Sequence, residues 1–182
     1  MMSTMKTIIA IAILTVSTLS AQEQIINPQI DWAGFQRDVI ATGKIREQRR
    51  ITEDQFLAMM KEPGTVVLDA RTPFRFDQRH ITGAVSLPFT EFSDASLAKV
   101  IPTKATRILI YCNNNFRNAP ESMFGKRIEA SLNVSTFTGL LQYGYSNVYE
   151  LGPNLDVRTT KLPFSGTEVR PATDPRSGIL QK

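Results

Sequence analysis

Two short apolar runs, Thr65-Val-Val-Leu-Asp69 and Arg107-Ile-Leu-Ile-Tyr111, limit what this chain can fold into more than any other feature. Each is too short for a helix and apolar at consecutive positions, the pattern of a strand buried on both faces. Segments of helical character lie between and around them, and strands that alternate with helices form parallel sheets. The expected fold is therefore α/β, with a mostly parallel central sheet flanked by helices on both faces. An N-terminal helical extension and an irregular C-terminal tail complete it.

Residues 1–21 fall outside that fold. Lys6 precedes an apolar stretch from Ile8 to Leu19, and Ser20-Ala21 supplies small residues for cleavage, so the segment reads as a signal peptide. The expectation is an exported protein, periplasmic or secreted, of one domain, with no membrane contact beyond the leader. Residues 22–50 read as an extension whose helix, from Asp31 to about Thr42, carries Trp32, Phe35, Val39 and Ile40 and stops at Gly43. Thr52-Glu-Asp-Gln55 is a capping box opening the next helix, which Pro63-Gly64 ends. A further short strand covers His80 to Pro88, and a helix spans Phe89 to Lys99. Residues 118–128 form a polar insertion, followed by a helix from Ala130 to about Tyr143 and a strand at Asn147–Leu151. The sequon Asn133-Val-Ser135 lies inside that helix and is read as coincidental.

The chain carries 21 basic and 17 acidic residues, a formal net charge of +4. That excess is small and spread along the chain. Its one dense basic cluster, Arg46 to Arg50, lacks the aromatic interleaving of a nucleic-acid patch, so no nucleic-acid partner is expected. There is one cysteine and one histidine, too few for a disulfide framework or a usual metal cage, and no cofactor or metal is expected.

The single cysteine, Cys112, ends the second apolar run, which places it at a strand's carboxyl end, where ligands bind in open α/β sheets. Asn113, Asn114 and Asn115 follow, then Phe116 and Arg117. Asparagine tolerates left-handed and bridge conformations, and the expectation is a tight loop whose amides, with the Arg117 guanidinium, cup a thiolate and an anionic ligand beside it. An inert buried cysteine is the alternative reading.

Three blocks in this order resemble the rhodanese-like (sulfurtransferase) family. They are Val67-Leu-Asp69-Ala-Arg71-Thr-Pro73 with His80-Ile-Thr-Gly83-Ala-Val-Ser-Leu87-Pro88, the strand running into Cys112, and Gly144-Tyr-Ser-Asn147-Val148-Tyr-Glu-Leu151. The resemblance implies a rhodanese-like domain over residues 51–165, with a tail from 166 to 182. It further implies that Cys112 attacks a sulfane-sulfur donor such as thiosulfate, holds the sulfur as a persulfide and passes it to a thiophilic acceptor. Asn113, Asn114, Asn115, Phe116 and Arg117 would bind the substrate, and Asp69 and Arg71 would support the loop. Four residues separate Cys112 from Arg117, against five in the related dual-specificity phosphatases, which implies a smaller cup suited to sulfur. Asn115 stands where the family has glycine, Arg75 where it commonly has glutamate, and the insertion delays the helix that usually follows the loop. The partners implied are a small anionic sulfur donor and an acceptor, with the chain a monomer. The alternatives are a non-catalytic module that binds a partner or carries sulfur through the Cys112–Arg117 loop, and a thiol redox sensor.

Overall fold

The computed structural model describes residue 25 and residues 27–169, so the leader and the last residues of the tail lie outside the described residues. Among the described residues, fourteen α-helices and strands follow in chain order, with four short 3-10 helices between them. They are α1 (Trp32–Glu47), β1 (Arg50–Ile51), α2 (Glu53–Met59), β2 (Thr65–Asp69), α3 (Pro73–Gln78), β3 (His80–Ile81), β4 (Val85–Ser86) and α4 (Asp94–Val100). Then come β5 (Arg107–Tyr111), β6 (Phe116–Arg117), α5 (Leu132–Gln142), β7 (Val148–Leu151), β8 (Leu155–Asp156) and β9 (Phe164–Ser165).

The central sheet has the order β1-β7-β5-β2-β4, and each neighbouring pair runs parallel. Alternation along the strands feeds two cores. Ile108 and Ile110 of β5 join Leu68 of β2, Leu97 of α4 and Phe137 and Leu140 of α5 on one face. Leu109 and Tyr111 join Val67, Phe56 of α2, Phe116 and Met123 on the other. Consecutive apolar residues are needed because both faces are dry. The Thr52 capping box forms as the sequence indicates, with Gln55 N–H on Thr52 Oγ1 and Thr52 N–H on Gln55 Oε1.

Helix α1 departs from expectation twice. It continues past Gly43 to Glu47, and its apolar residues do not face the core: Trp32 and Ile40 are about two-thirds exposed, while Thr42 is buried. The helix is held by polar contacts instead. Gln142 of α5 donates to Asp38, and Arg46 makes a two-pronged ion pair with Glu150 of β7, its Nη2 2.7 Å from Oε1 and its Nε on Oε2. Glu150 is buried, so Arg46 supplies the counter-charge a carboxylate needs there. Arg46→Ala is expected to cost about 3 kcal/mol in urea unfolding, and adding Glu150→Gln to recover part of it. A single variant within about 0.5 kcal/mol of wild type would show the pair to be dispensable.

Just before the tail, strand β9 pairs antiparallel with β3, and Gly166 follows with φ +121°. A Cβ at Gly166 would lie 2.4 Å from the Gln78 carbonyl oxygen. Gly166→Ala therefore combines backbone strain with a clash against main chain, and about 2–4 kcal/mol of stability should be lost. An unchanged urea midpoint would refute that placement.

Candidate active site

Asp69 and Tyr111 are opposite one another in the β2–β5 register, so the chain leaving each strand enters the same crevice. Asp69 is fully buried and takes its counter-charge from Arg71, whose Nε lies 2.9 and 3.1 Å from its two oxygens and whose Nη2 lies 2.6 Å from Oδ2. Nη2 also donates to the Arg79 carbonyl at 2.6 Å, and Nη1 to Asn113 Oδ1 at 3.0 Å and the Ser122 carbonyl at 3.4 Å. All the guanidinium donors are committed, which makes Arg71 a brace across four segments. Burial opposes its charge, but the hydrogen bonds and charge of Asp69 outweigh that and raise its pKa. Tyr111 donates its hydroxyl to Asp69 and accepts from the Ile81 N–H at 3.0 Å; burial, then the Asp69 charge, push its pKa well above the ordinary value.

Cys112 begins the next turn. Residues Asn113–Asn115 form one turn of 3-10 helix, and the thiol is 1% exposed. Asn115 fastens the turn from beneath. Its Oδ1 accepts from the Cys112 N–H and from Asn133 Nδ2, both at 2.9 Å, and its Nδ2 donates to the Leu151 carbonyl at 2.6 Å. Asn133 Nδ2 also reaches Glu150 Oε1 at 3.3 Å, so a buried polar chain joins Arg46 of α1 to the cysteine amide. Asn133 is buried and its amide is used, which is incompatible with glycosylation of the folded chain.

The insertion folds back over the turn. Asn114 Nδ2 donates to the Lys126 carbonyl at 2.8 Å and Asn114 Oδ1 accepts from the Lys126 N–H at 3.0 Å, while Asn113 Nδ2 donates to the Phe124 carbonyl at 2.9 Å. Only an amide side chain offers donor and acceptor together in this way. The tail secures the insertion from its other side, since Ser122 donates to Glu168, which also accepts from Gln78 at 3.0 Å. After the insertion α5 starts at the thiol: Ser131, its N-cap residue, places Oγ 3.4 Å from Cys112 Sγ. The helix thus still reaches the cysteine, and its N-terminal end favours negative charge there.

Beside the thiol is a recess of about 20 Å³ lined by Arg71, Cys112, Asn113, Asn114, Lys126 and Leu132. That is room for about one water-sized atom. A cavity of about 480 Å³ adjoins it and shares Arg71, Asn113, Lys126 and Leu132. Arg75 and Glu121 border only the larger space and pair loosely at 3.6 Å. Lys126 borders both spaces and its backbone is fixed there by Asn114, while its ammonium has no partner among the described residues.

The family model for the Rhodanese-like domain matches residues 52–152, more than half of the chain. The chain belongs to the rhodanese-like family. No curated protein matches it. Among solved structures it is similar to the Alr3790 protein of Anabaena sp., at 20% identity over 64% of this chain and 80% of that one, with a TM-score of 0.46. It is also similar to a rhodanese with anions from E. coli, at 21% identity over 56% of this chain and 98% of that one, with a TM-score of 0.38. A thiosulfate sulfurtransferase from Pseudomonas aeruginosa is 18% identical over 73% of this chain and 23% of its own, with a TM-score of 0.47.

Within this rhodanese-like domain the expected site residues separate into two groups. Cys112, Asn113, Asn114 and Arg71 converge on the recess, with Asp69 behind Arg71. Arg117 and Phe116 do not. Strand β6 pairs with β8 and turns Arg117 outward to the Asn154 carbonyl at 2.6 Å, and Phe116 is buried against Tyr111 and Phe164. Asn115 touches no recess either, and its backbone is not left-handed; the one non-glycine residue with positive φ among the described residues is Asn118, at 53°. The cup is thus closed by asparagine side chains and the insertion, not by a wide amide loop. Sequence reasoning missed Lys126, Ser131 and Leu132. The signal was weak: an insertion that starts six residues after the cysteine and ends at the next helix must cross near the thiol, but nothing in its residues says which of them faces it.

Proposed function

We propose that the domain is a sulfurtransferase in which Cys112, as thiolate, attacks the terminal sulfur of an anionic sulfane-sulfur donor. A new S–S bond forms to Cys112 Sγ, the donor's S–S bond breaks, and the leaving group departs with that electron pair. A thiophilic acceptor then removes the outer sulfur and restores the thiolate. The observation that carries the reading is the recess, sized for a single atom beside a cysteine at a strand end, with Lys126 in its lining. Ser131 Oγ is placed to donate to the anionic sulfur. Incubation with thiosulfate should add one sulfur atom to the intact mass under non-reducing conditions, and cyanide should remove it. No gain from thiosulfate or from any organic sulfane-sulfur donor would overturn the assignment.

The burial of the thiol favours one alternative, a module that receives sulfur from a docked protein and carries it. A persulfide formed only in the presence of a partner protein, and never from a small donor, would select it.

A further inference from the structure

We propose that the outward face of α1 is the interface of a symmetric dimer of this chain, in which two α1 helices pack antiparallel and Trp32 of each fills a notch at Gly43 of the other. Such a dimer is independent of the sulfur-transfer chemistry and differs from the monomer that the family resemblance implies.

A helix that packs on a core repeats its facing residues at i, i+3, i+4, i+7 and i+8. In α1 that stripe is Trp32, Phe35, Gln36, Val39, Ile40 and Gly43, and every one of the six is exposed. The attachment to the rest of the fold lies elsewhere on the helix, at buried Thr42 and through Asp38 and Arg46. The stripe therefore has the spacing of a packed surface and nothing of its own chain to pack on. At one end Trp32 and Phe35 stack, with ring centroids 5.7 Å apart.

Gly43 at the other end selects the occupant. The helix runs through it to Glu47, although glycine is the poorest helix former after proline. Nothing within the folded chain demands a glycine there. Its φ is not positive, and a Cβ would meet no heavy atom within 4 Å. Gln36, Val39, Ile40 and Gly43 stand at i, i+3, i+4 and i+7, the four positions that border one hole on a helix surface, and the missing side chain deepens that hole.

The stripe thus carries its largest side chain at one end and its notch at the other, roughly 16 Å along the axis. A two-fold axis between antiparallel helices uses both. Trp32 then meets Gly43, Phe35 meets Ile40 and Gln36 meets Val39, each twice, and the helix dipoles oppose. A parallel pair would set tryptophan on tryptophan and leave the two glycines facing across a gap. A lipid surface has no use for a notch. The four apolar side chains keep roughly 400 Å² open per copy, and with its rim the pair would bury about 1,000 Å², the lower limit for a specific interface. Association at roughly 1–100 µM is expected for a contact of that size.

Sedimentation velocity of the full chain from about 1 to 500 µM should show monomer passing to dimer. Trp32→Ala should weaken the dimer at least about tenfold. Gly43→Leu should weaken it by a similar factor even though it enlarges the apolar face, because the leucine occupies the notch. The double variant, in which the new leucine faces the new alanine, should associate at least about tenfold more tightly than the product of the two single losses. Both positions are exposed, and thermal unfolding of the dilute monomer should confirm that each variant is folded. A chain that stays monomeric throughout, including one that instead binds phosphatidylglycerol vesicles, would overturn the dimer. So would a dimer indifferent to all three variants, or one that Gly43→Leu tightens, which is the mark of unspecific apolar contact.

Discussion

Cys112→Ser is expected to take up no sulfur from any donor while unfolding within about 1 kcal/mol of wild type. A serine hydroxyl is not ionised at neutral pH and cannot hold a sulfane sulfur, so the loss should be complete, not partial. The fold should survive because serine is nearly isosteric, and its hydroxyl inherits the Ser131 contact now 3.4 Å from Sγ. The main-chain anchor of the turn, the Cys112 N–H on Asn115 Oδ1, is independent of the side chain. The check is intact mass and cyanide discharge beside a urea titration. Sulfur uptake by the serine variant would move the chemistry off Cys112; a stability loss above about 3 kcal/mol would make the cysteine a packing residue first.

Arg71→Met is expected to be the most damaging single change to the fold, costing about 3–5 kcal/mol and lowering the thermal midpoint by roughly 10 °C or more. The methionine fills similar volume but leaves Asp69 fully buried with only Tyr111 and backbone to answer its charge. It also frees the Arg79 and Ser122 carbonyls and Asn113 Oδ1, which are anchors of the insertion and the cysteine turn. Arg71→Lys should not rescue it, since one ammonium cannot span acceptors a planar guanidinium reaches together. Adding Asp69→Asn should recover part of the loss by removing the stranded charge. Thermal unfolding followed by circular dichroism reads all three, and a single variant within about 1 kcal/mol of wild type would refute the brace.

How far the sequence could be read depended on whether a residue's role was local. The strands β2 and β5 and the Thr52 cap were legible because apolar runs and capping boxes act over a few neighbouring residues. Cys112 was legible from its place at a strand end. Arg117 was misjudged because spacing from the cysteine says nothing about which way the following strand turns, and β6 turns it toward Asn154. The three asparagines were read as backbone-tolerant, whereas their side chains do the work, each bonding a segment distant in sequence. Helix α1 misled for a related reason: its apolar residues have helical spacing, but its attachments include the long-range Arg46–Glu150 ion pair and the Gln142–Asp38 hydrogen bond, which no periodicity records.

That ion pair bears on where the folding unit begins. Similarity to the family starts at residue 52, after Arg46. A fragment trimmed to that border would keep every strand of the sheet except β1 and would retain the cysteine turn. It would also strand Glu150, which is linked by three hydrogen bonds through Asn133 and Asn115 to the Cys112 amide. The segment that the family model matches thus leaves out the counter-charge of a buried carboxylate whose hydrogen bonds run to the Cys112 amide.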